Sequence, residues 1–140
     1  MEELKVKLDD GAYMPERAHD IDAGADLRTP ETAIIGPHSN ITIDTGVHIE
    51  IPKGYFGKLE SKSGLNVHHD IVSCGGTIDS GYTGSIAVKL YNHGDHEHIF
   101  ERGDKIVQII IQPCELCDFV QVDELEDTER GNDGFGSTGR

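Results

Sequence analysis

The 140 residues suffice for one domain that buries about two thirds of its unfolded surface, and nothing in them asks for a second. A total of 12 basic against 26 acidic residues leaves a net charge of −14, which repels a polyphosphate backbone and excludes a general nucleic-acid binder, though not a single nucleotide whose charge a divalent cation cancels. The 3 cysteines are too few and too unevenly placed for a disulfide framework, and no apolar run near the start is long enough for a signal or membrane span, so a reducing, cytoplasmic setting without membrane contact is expected.

In chain order, Leu4, Val6 and Leu8 alternate with Lys5, Lys7 and Asp9, the period-two pattern of a half-buried strand. Further strands are expected over residues 32–35, 41–43, 47–51 and 55–59, divided by the turn signals Gly36-Pro37, Asp44-Thr45-Gly46 and Pro52-Lys53-Gly54. After Ser63 the rhythm breaks at Gly64-Leu65-Asn66-Val67-His68-His69, where one short helix fits. Alternation returns with Ile86, Val88 and Leu90, and strands are expected again over 106–112 and 119–122. Helical periodicity is otherwise nearly absent, so the chain reads as an all-β sandwich, barrel or jelly roll spanning residues 1–122. From about Asp123 the composition turns acidic and then glycine-rich, which predicts a mobile tail over 123–140.

Several segments carry polar residues suited to chemistry. Asp79 stands in Gly76-Thr77-Ile78-Asp79-Ser80-Gly81-Tyr82, where glycines let the backbone turn tightly and approach a ligand; an ionised aspartate there either forms a simple turn or orients and deprotonates a water. Ser61-Lys62-Ser63-Gly64-Leu65 reads as a polar turn between strands or as a phosphate contact. Gln108 is the one polar side chain inside the apolar run that follows Gly103-Asp104-Lys105. The closing run Arg130-Gly131-Asn132-Asp133-Gly134-Phe135-Gly136-Ser137-Thr138-Gly139 has the composition of a linker, yet the lone ring of Phe135 is costly in water unless it finds a surface to stack on.

Together with Ala23-Gly24-Ala25-Asp26-Leu27-Arg28, these segments resemble, in order and over nearly the whole chain, the motifs of the trimeric dUTPases of bacteria and phages, which split dUTP into dUMP and pyrophosphate. The resemblance implies the single-domain dUTPase jelly roll, a homotrimer with shared sites, and Mg²⁺ as cofactor. It implies Asp79 as the holder of the attacking water and Tyr82 as the ring beneath deoxyribose that excludes a 2′-hydroxyl. Backbone groups of Gly75, Gly76, Thr77 and Ile78, flanked by Ser73 where the family often has asparagine, would read uracil. Lys62, Ser63, Gly64 and Gln108 would meet the phosphates, with lysine standing where the family has arginine. From the tail, Phe135 would cap uracil, while Arg130, Gly136, Ser137 and Thr138 reach the phosphates. Metal contact would be indirect, Asp26 lying near the metal-bound triphosphate through water.

Other readings stand beside this one. A dCTP deaminase on the same fold would need its own carboxylate near C4 of cytosine, and a nucleotide-gated regulatory module, fitting for a phage-borne chain, would bind a protein partner through a surface such as the polar loop 93–98. Cys114 and Cys117 with His93, His96 and His98 offer the residue types of a zinc site, against the simpler reading of a solvated loop.

Overall fold

The computed structural model describes residues 3–139, and its regular structure is β apart from one short helix. The strands are β1 (Lys5–Leu8), β2 (Ala25–Arg28), β3 (Ala33–Ile35), β4 (Ser39–Asp44), β5 (Val47–Glu50), β6 (Tyr55–Glu60), β7 (Ile71–Ser73), β8 (Thr77–Ile78), β9 (Ala87–Asn92), β10 (His98–Phe100) and β11 (Lys105–Pro113). Helix α1 (Ser63–His69) lies between β6 and β7 and ends at Asp70, whose left-handed backbone (φ 54°) returns its N–H to the carbonyl of Leu65.

The strands form a four-stranded sheet in the order β2-β11-β6-β8, a three-stranded sheet β4-β9-β7, and the pairs β1-β5 and β10-β3, with antiparallel pairing throughout. This is the all-β jelly roll that the alternating pattern foretold. Apolar side chains turn inward, at alternate positions along most strands and at two successive ones in Ile106 and Val107: with these two, Leu27, Ile35, Val47, Ile71, Val88, Leu90 and Phe100 are almost fully buried and form one core. No described helix is long and apolar enough to cross a membrane.

Two features depart from the sequence expectations. The alternation over 119–122 forms no strand: the described residues beyond Pro113 form no strand or helix, and Phe119 is 97% exposed. A strand exists only when an edge pairs with it, and no described edge does so here. Irregular chain therefore begins at Cys114 rather than Asp123. In the loop expected over 93–98, His98 belongs instead to β10, its ring 4.5 Å from Phe100 and 4.8 Å from His69. The short alternation of Phe100 in and Ile99 out was hidden by the polar residues before it.

Candidate active site

The four-stranded sheet places two groups of polar residues at opposite ends of β6. At one end, Asp26 of β2 and Gln108 of β11 are cross-strand partners, and Gln108 in turn pairs with Glu60 at the end of β6. Asp26 is only 3% exposed. A buried carboxylate needs partners, and it has two: the Lys62 ammonium on Oδ1 and the Lys105 ammonium 3.1 Å from Oδ2. Burial alone would push the Asp26 carboxyl up, but the hydrogen bonds and charges of Lys62 and Lys105 outweigh it and hold the group below its ordinary value.

Lys62 is extended (φ −75°, ψ 127°) and leads into α1, whose first residues are Ser63 and Gly64; both are exposed, and their N–H groups have no acceptor within the helix. Gln108 is fixed from two sides. Its Nε2 donates to the carbonyl of Ser61 at 3.1 Å, and the stem lies so close to Gly24 that a Cβ there would be 2.2 Å from Oε1. Ser61 also ties this end of the sheet to β7: its Oγ accepts from the N–H of Ser73 at 2.9 Å and donates to the carbonyl of Ser73 at 3.3 Å. The backbone N–H and carbonyl of Ser73 are thereby both held by Ser61.

β7 and β8 belong to different sheets, and β8 runs beside β6 from Lys58 to Gly57, leading to Asp79. The link between them uses Gly75 (φ 73°) and Gly76 (φ 104°), and a Cβ on Gly76 would strike Leu59 at 2.8 Å, so only glycine permits this approach to β6. The N–H of Leu59 donates to the carbonyl of Gly76 at 2.9 Å. Asp79 follows directly, exposed, with its carbonyl accepting the N–H groups of Gly81 (3.2 Å) and Tyr82 (3.1 Å). The Tyr82 ring packs over Gly84, and its hydroxyl donates to the carbonyl of Ser85 at 2.8 Å. Thr77 and Ile78 pair with Lys58 and Gly57.

The register separates the two groups. Ile78 sits opposite Gly57 and Gln108 opposite Glu60, a span of ~10 Å along β6, and Asp79 and Lys62 leave from the outer ends of that span. The tail forms a third group, held by local bonds such as Arg130 Nε to the carbonyl of Asp133 (2.7 Å) and Ser137 N–H to the carbonyl of Gly134 (3.1 Å). Among the described residues, the Cys114 N–H bond to the carbonyl of Gly54 (2.8 Å) is the last backbone bond between tail and sheets. Phe135 is fully exposed, with Gly136 beside it at φ 89° and Thr138 also exposed. One chain thus brings Asp26, Lys62 and Gln108 together and keeps them apart from Asp79 with Tyr82, and from Phe135.

The dUTPase family model matches residues 10–139. The chain belongs to the dUTPase family. It is 46% identical over 138 residues to the deoxyuridine 5'-triphosphate nucleotidohydrolase of Corynebacterium efficiens, covering 96% of this chain and 76% of that protein. The enzyme of the same name from Clostridioides difficile is 42% identical over 142 residues and covers 99% of each. Among solved structures, the Staphylococcus bacteriophage 80alpha dUTPase with dUPNHPP superimposes with a TM-score of 0.91 at 34% identity over 100% of both chains. A mutant dUTPase from phage phi11 of S. aureus, described as revealing the coordination of a structural Mg(II) ion, gives 0.83 at 30% identity over 89% of this chain and 99% of that one. The chain is accordingly an enzyme of the dUTP diphosphatase type.

Sequence reasoning missed Lys105, Gly24 and Ser61. Lys105 and Gly24 lie inside segments singled out for a neighbour, Gln108 and Asp26, and the signal for each was there: a third cation before the strand, and a glycine where the chain should only have needed a strand residue. Among the described residues no group of three or more His, Cys, Asp or Glu side chains is arranged to hold a metal ion.

Proposed function

We propose that this dUTPase-family chain hydrolyses dUTP to dUMP and pyrophosphate at sites shared between the subunits of a cytoplasmic homotrimer. The observation that carries the shared site is the placement of Lys62 and Asp79 at opposite ends of β6. A substrate no longer than dUTP needs all three groups around it, and a threefold assembly supplies them from neighbouring chains.

In this reading, Asp79 takes a proton from water as the water oxygen attacks the α-phosphorus in line; the bond to the bridging oxygen breaks and its electrons leave with pyrophosphate. Lys62, Gln108, Arg130 and the N–H groups of Ser63, Gly64, Gly136, Ser137 and Thr138 stabilise the charge that moves outward onto the phosphate oxygens. General-base help is worth roughly 10²–10⁴-fold, so positioning and charge stabilisation supply the larger share of the acceleration. The backbone of Gly75, Gly76, Thr77 and Ile78 reads uracil, Tyr82 lies beneath the deoxyribose, and Phe135 covers the base. Ser73 flanks this segment, its backbone N–H and carbonyl held by the hydroxyl of Ser61.

Mg²⁺ bound to the triphosphate would offset its charge, and Asp26, already engaged by two ammonium groups, would meet such a cation only through water. Incubating the protein with Mg²⁺ and each deoxynucleoside triphosphate in turn, and measuring pyrophosphate and ammonia, tests the proposal. Pyrophosphate from dUTP alone is expected; ammonia from dCTP would mean a deaminase instead.

A further inference from the structure

The phosphate end of the sheet contains a cation that the reaction scheme above does not use. Pairing between β2 and β11 runs Lys105 opposite Arg28 and then Val107 opposite Leu27, so Ile106 is an extra residue, a bulge. Ile106 and Val107 are both fully buried, two successive side chains facing the core. Without the bulge, Lys105 would fall on the core side with Leu27; the one-residue shift moves it to the face that carries Asp26 and Gln108. There its ammonium lies 3.1 Å from Asp26 Oδ2, while Lys62 occupies Oδ1.

This arrangement poses a problem for any phosphate that Lys62 is to hold. The Lys62 ammonium is already bound to a buried carboxylate, and withdrawing it would leave that charge unpaired, which is strongly unfavourable. A second cation on the other oxygen removes most of the obstacle.

We propose that Lys105 is a positioning residue for phosphate recognition: it neutralises the buried Asp26 carboxylate so that the Lys62 ammonium is free to turn from Asp26 to the nucleotide. The inference rests on the reading of Lys62 as a phosphate contact. Lys105 stays on Asp26 throughout and touches no substrate atom. A lysine at position 62 makes this help matter, because a single ammonium serves Asp26 and phosphate with the same three hydrogens, whereas a guanidinium fork has donors for both.

The test uses the full-length protein with Lys105→Met, Lys105→Arg, Lys62→Met, Asp26→Asn and the double variant Asp26→Asn with Lys105→Met. KM and kcat are measured with dUTP and Mg²⁺, and deoxyuridine, which lacks phosphate, is titrated by NMR. Lys105→Met should raise the KM for dUTP ~10-fold or more with deoxyuridine binding unchanged, and Lys105→Arg should restore it. In the Asp26→Asn background, Lys105→Met should add little, since no carboxylate remains to neutralise. An unchanged KM in Lys105→Met, an equal loss of dUTP and deoxyuridine binding, or an undiminished effect in the Asp26→Asn background would each overturn the proposal. Lys62→Met separates the premise from the inference: if it leaves the KM for dUTP at the wild-type value, the phosphate role of Lys62 itself falls.

Discussion

A Cβ placed on Gly24 would lie 2.2 Å from Oε1 of Gln108 and 2.9 Å from its Cδ, so the glycine that precedes β2 is the floor on which the Gln108 amide rests. The amide is thereby directed to the carbonyl of Ser61, next to Lys62. Gly24→Ala should expel the Gln108 side chain from this position. The cost in stability should be about 1–3 kcal/mol, typical of overpacking, with a fall in kcat/KM for dUTP similar to that of Gln108→Ala. Thermal melting and steady-state kinetics on both variants would check this. A Gly24→Ala enzyme with wild-type kcat/KM would show that the Gln108 geometry does not matter to the reaction.

How far the sequence disclosed this arrangement depends on what each signal required. Period-two alternation marked β1, β4, β5, β6, β9 and β11, each of which turns at least one apolar residue toward the one core. It failed for β2, β7, β8 and β10, which have two to four residues and carry Asp, Arg, Ser, Thr or His. It also gave a false strand over 119–122, since alternation reports an amphipathic segment but not whether a partner edge exists. The candidate site residues Lys62, Asp79 and Gln108 were singled out through motif order. Lys105 was not, because its placement depends on a bulge that no local pattern announces.

Asp79→Asn should keep the affinity for a non-hydrolysable α,β-imido analogue of dUTP within several-fold while kcat falls by about 10²-fold or more, because the amide preserves shape but takes no proton. Asp79 is exposed in a turn whose hydrogen bonds use its backbone carbonyl, so the fold should tolerate the change. Calorimetric titration and single-turnover kinetics give the two numbers. Undiminished turnover would sink the assignment of the base.

Tyr82→Ala should let UTP in. The ring packs on Gly84 and its tip is held by the carbonyl of Ser85, and a ring so fixed beneath the deoxyribose would leave a 2′-hydroxyl no space. The ratio of kcat/KM for dUTP over UTP should drop by at least ~10-fold, whereas Tyr82→Phe, which loses only the bond to Ser85, should keep most of it. If the alanine variant discriminates like the wild type, Tyr82 is a packing residue.

Ser85 links the same loop to the turn between β4 and β5, its hydroxyl donating to Asp44 Oδ1. That bond, and then the N–H of Gly46, holds the Asp44 carboxyl below its ordinary value. A carboxyl lowered in the folded state adds stability above the unfolded value of about 3.9, and this is lost as pH falls through the lower, folded value. Ser85→Ala should therefore melt slightly below the wild type at pH 7, by well under ~1 kcal/mol for so exposed a pair, and the gap should close in acid. Melting temperatures from pH 7 to pH 3 would reveal it; a gap that widens on acidification contradicts the assigned direction.

The separation of Lys62 from Asp79 along β6 leads to the most decisive experiment, because it concerns which chains build one site. In the shared arrangement, Lys62 and Gln108 come from one chain, Asp79 and Tyr82 from a second, and Phe135 from the tail of a third. An Asp79→Asn chain and a chain truncated after Arg130 should each be nearly inactive alone. Co-expressed, they form mixed trimers in which an intact base meets an intact tail. With equal mixing and independent assortment, half the sites have the base and half of those the tail, so about a quarter should be whole. Native mass spectrometry establishes the mixing, and pyrophosphate release establishes the activity. Mixed trimers no more active than the two variants apart would place base and tail in the same chain, where Pro113, opposite Tyr55, leaves the sheet at the end of β6 from which Asp79 also departs.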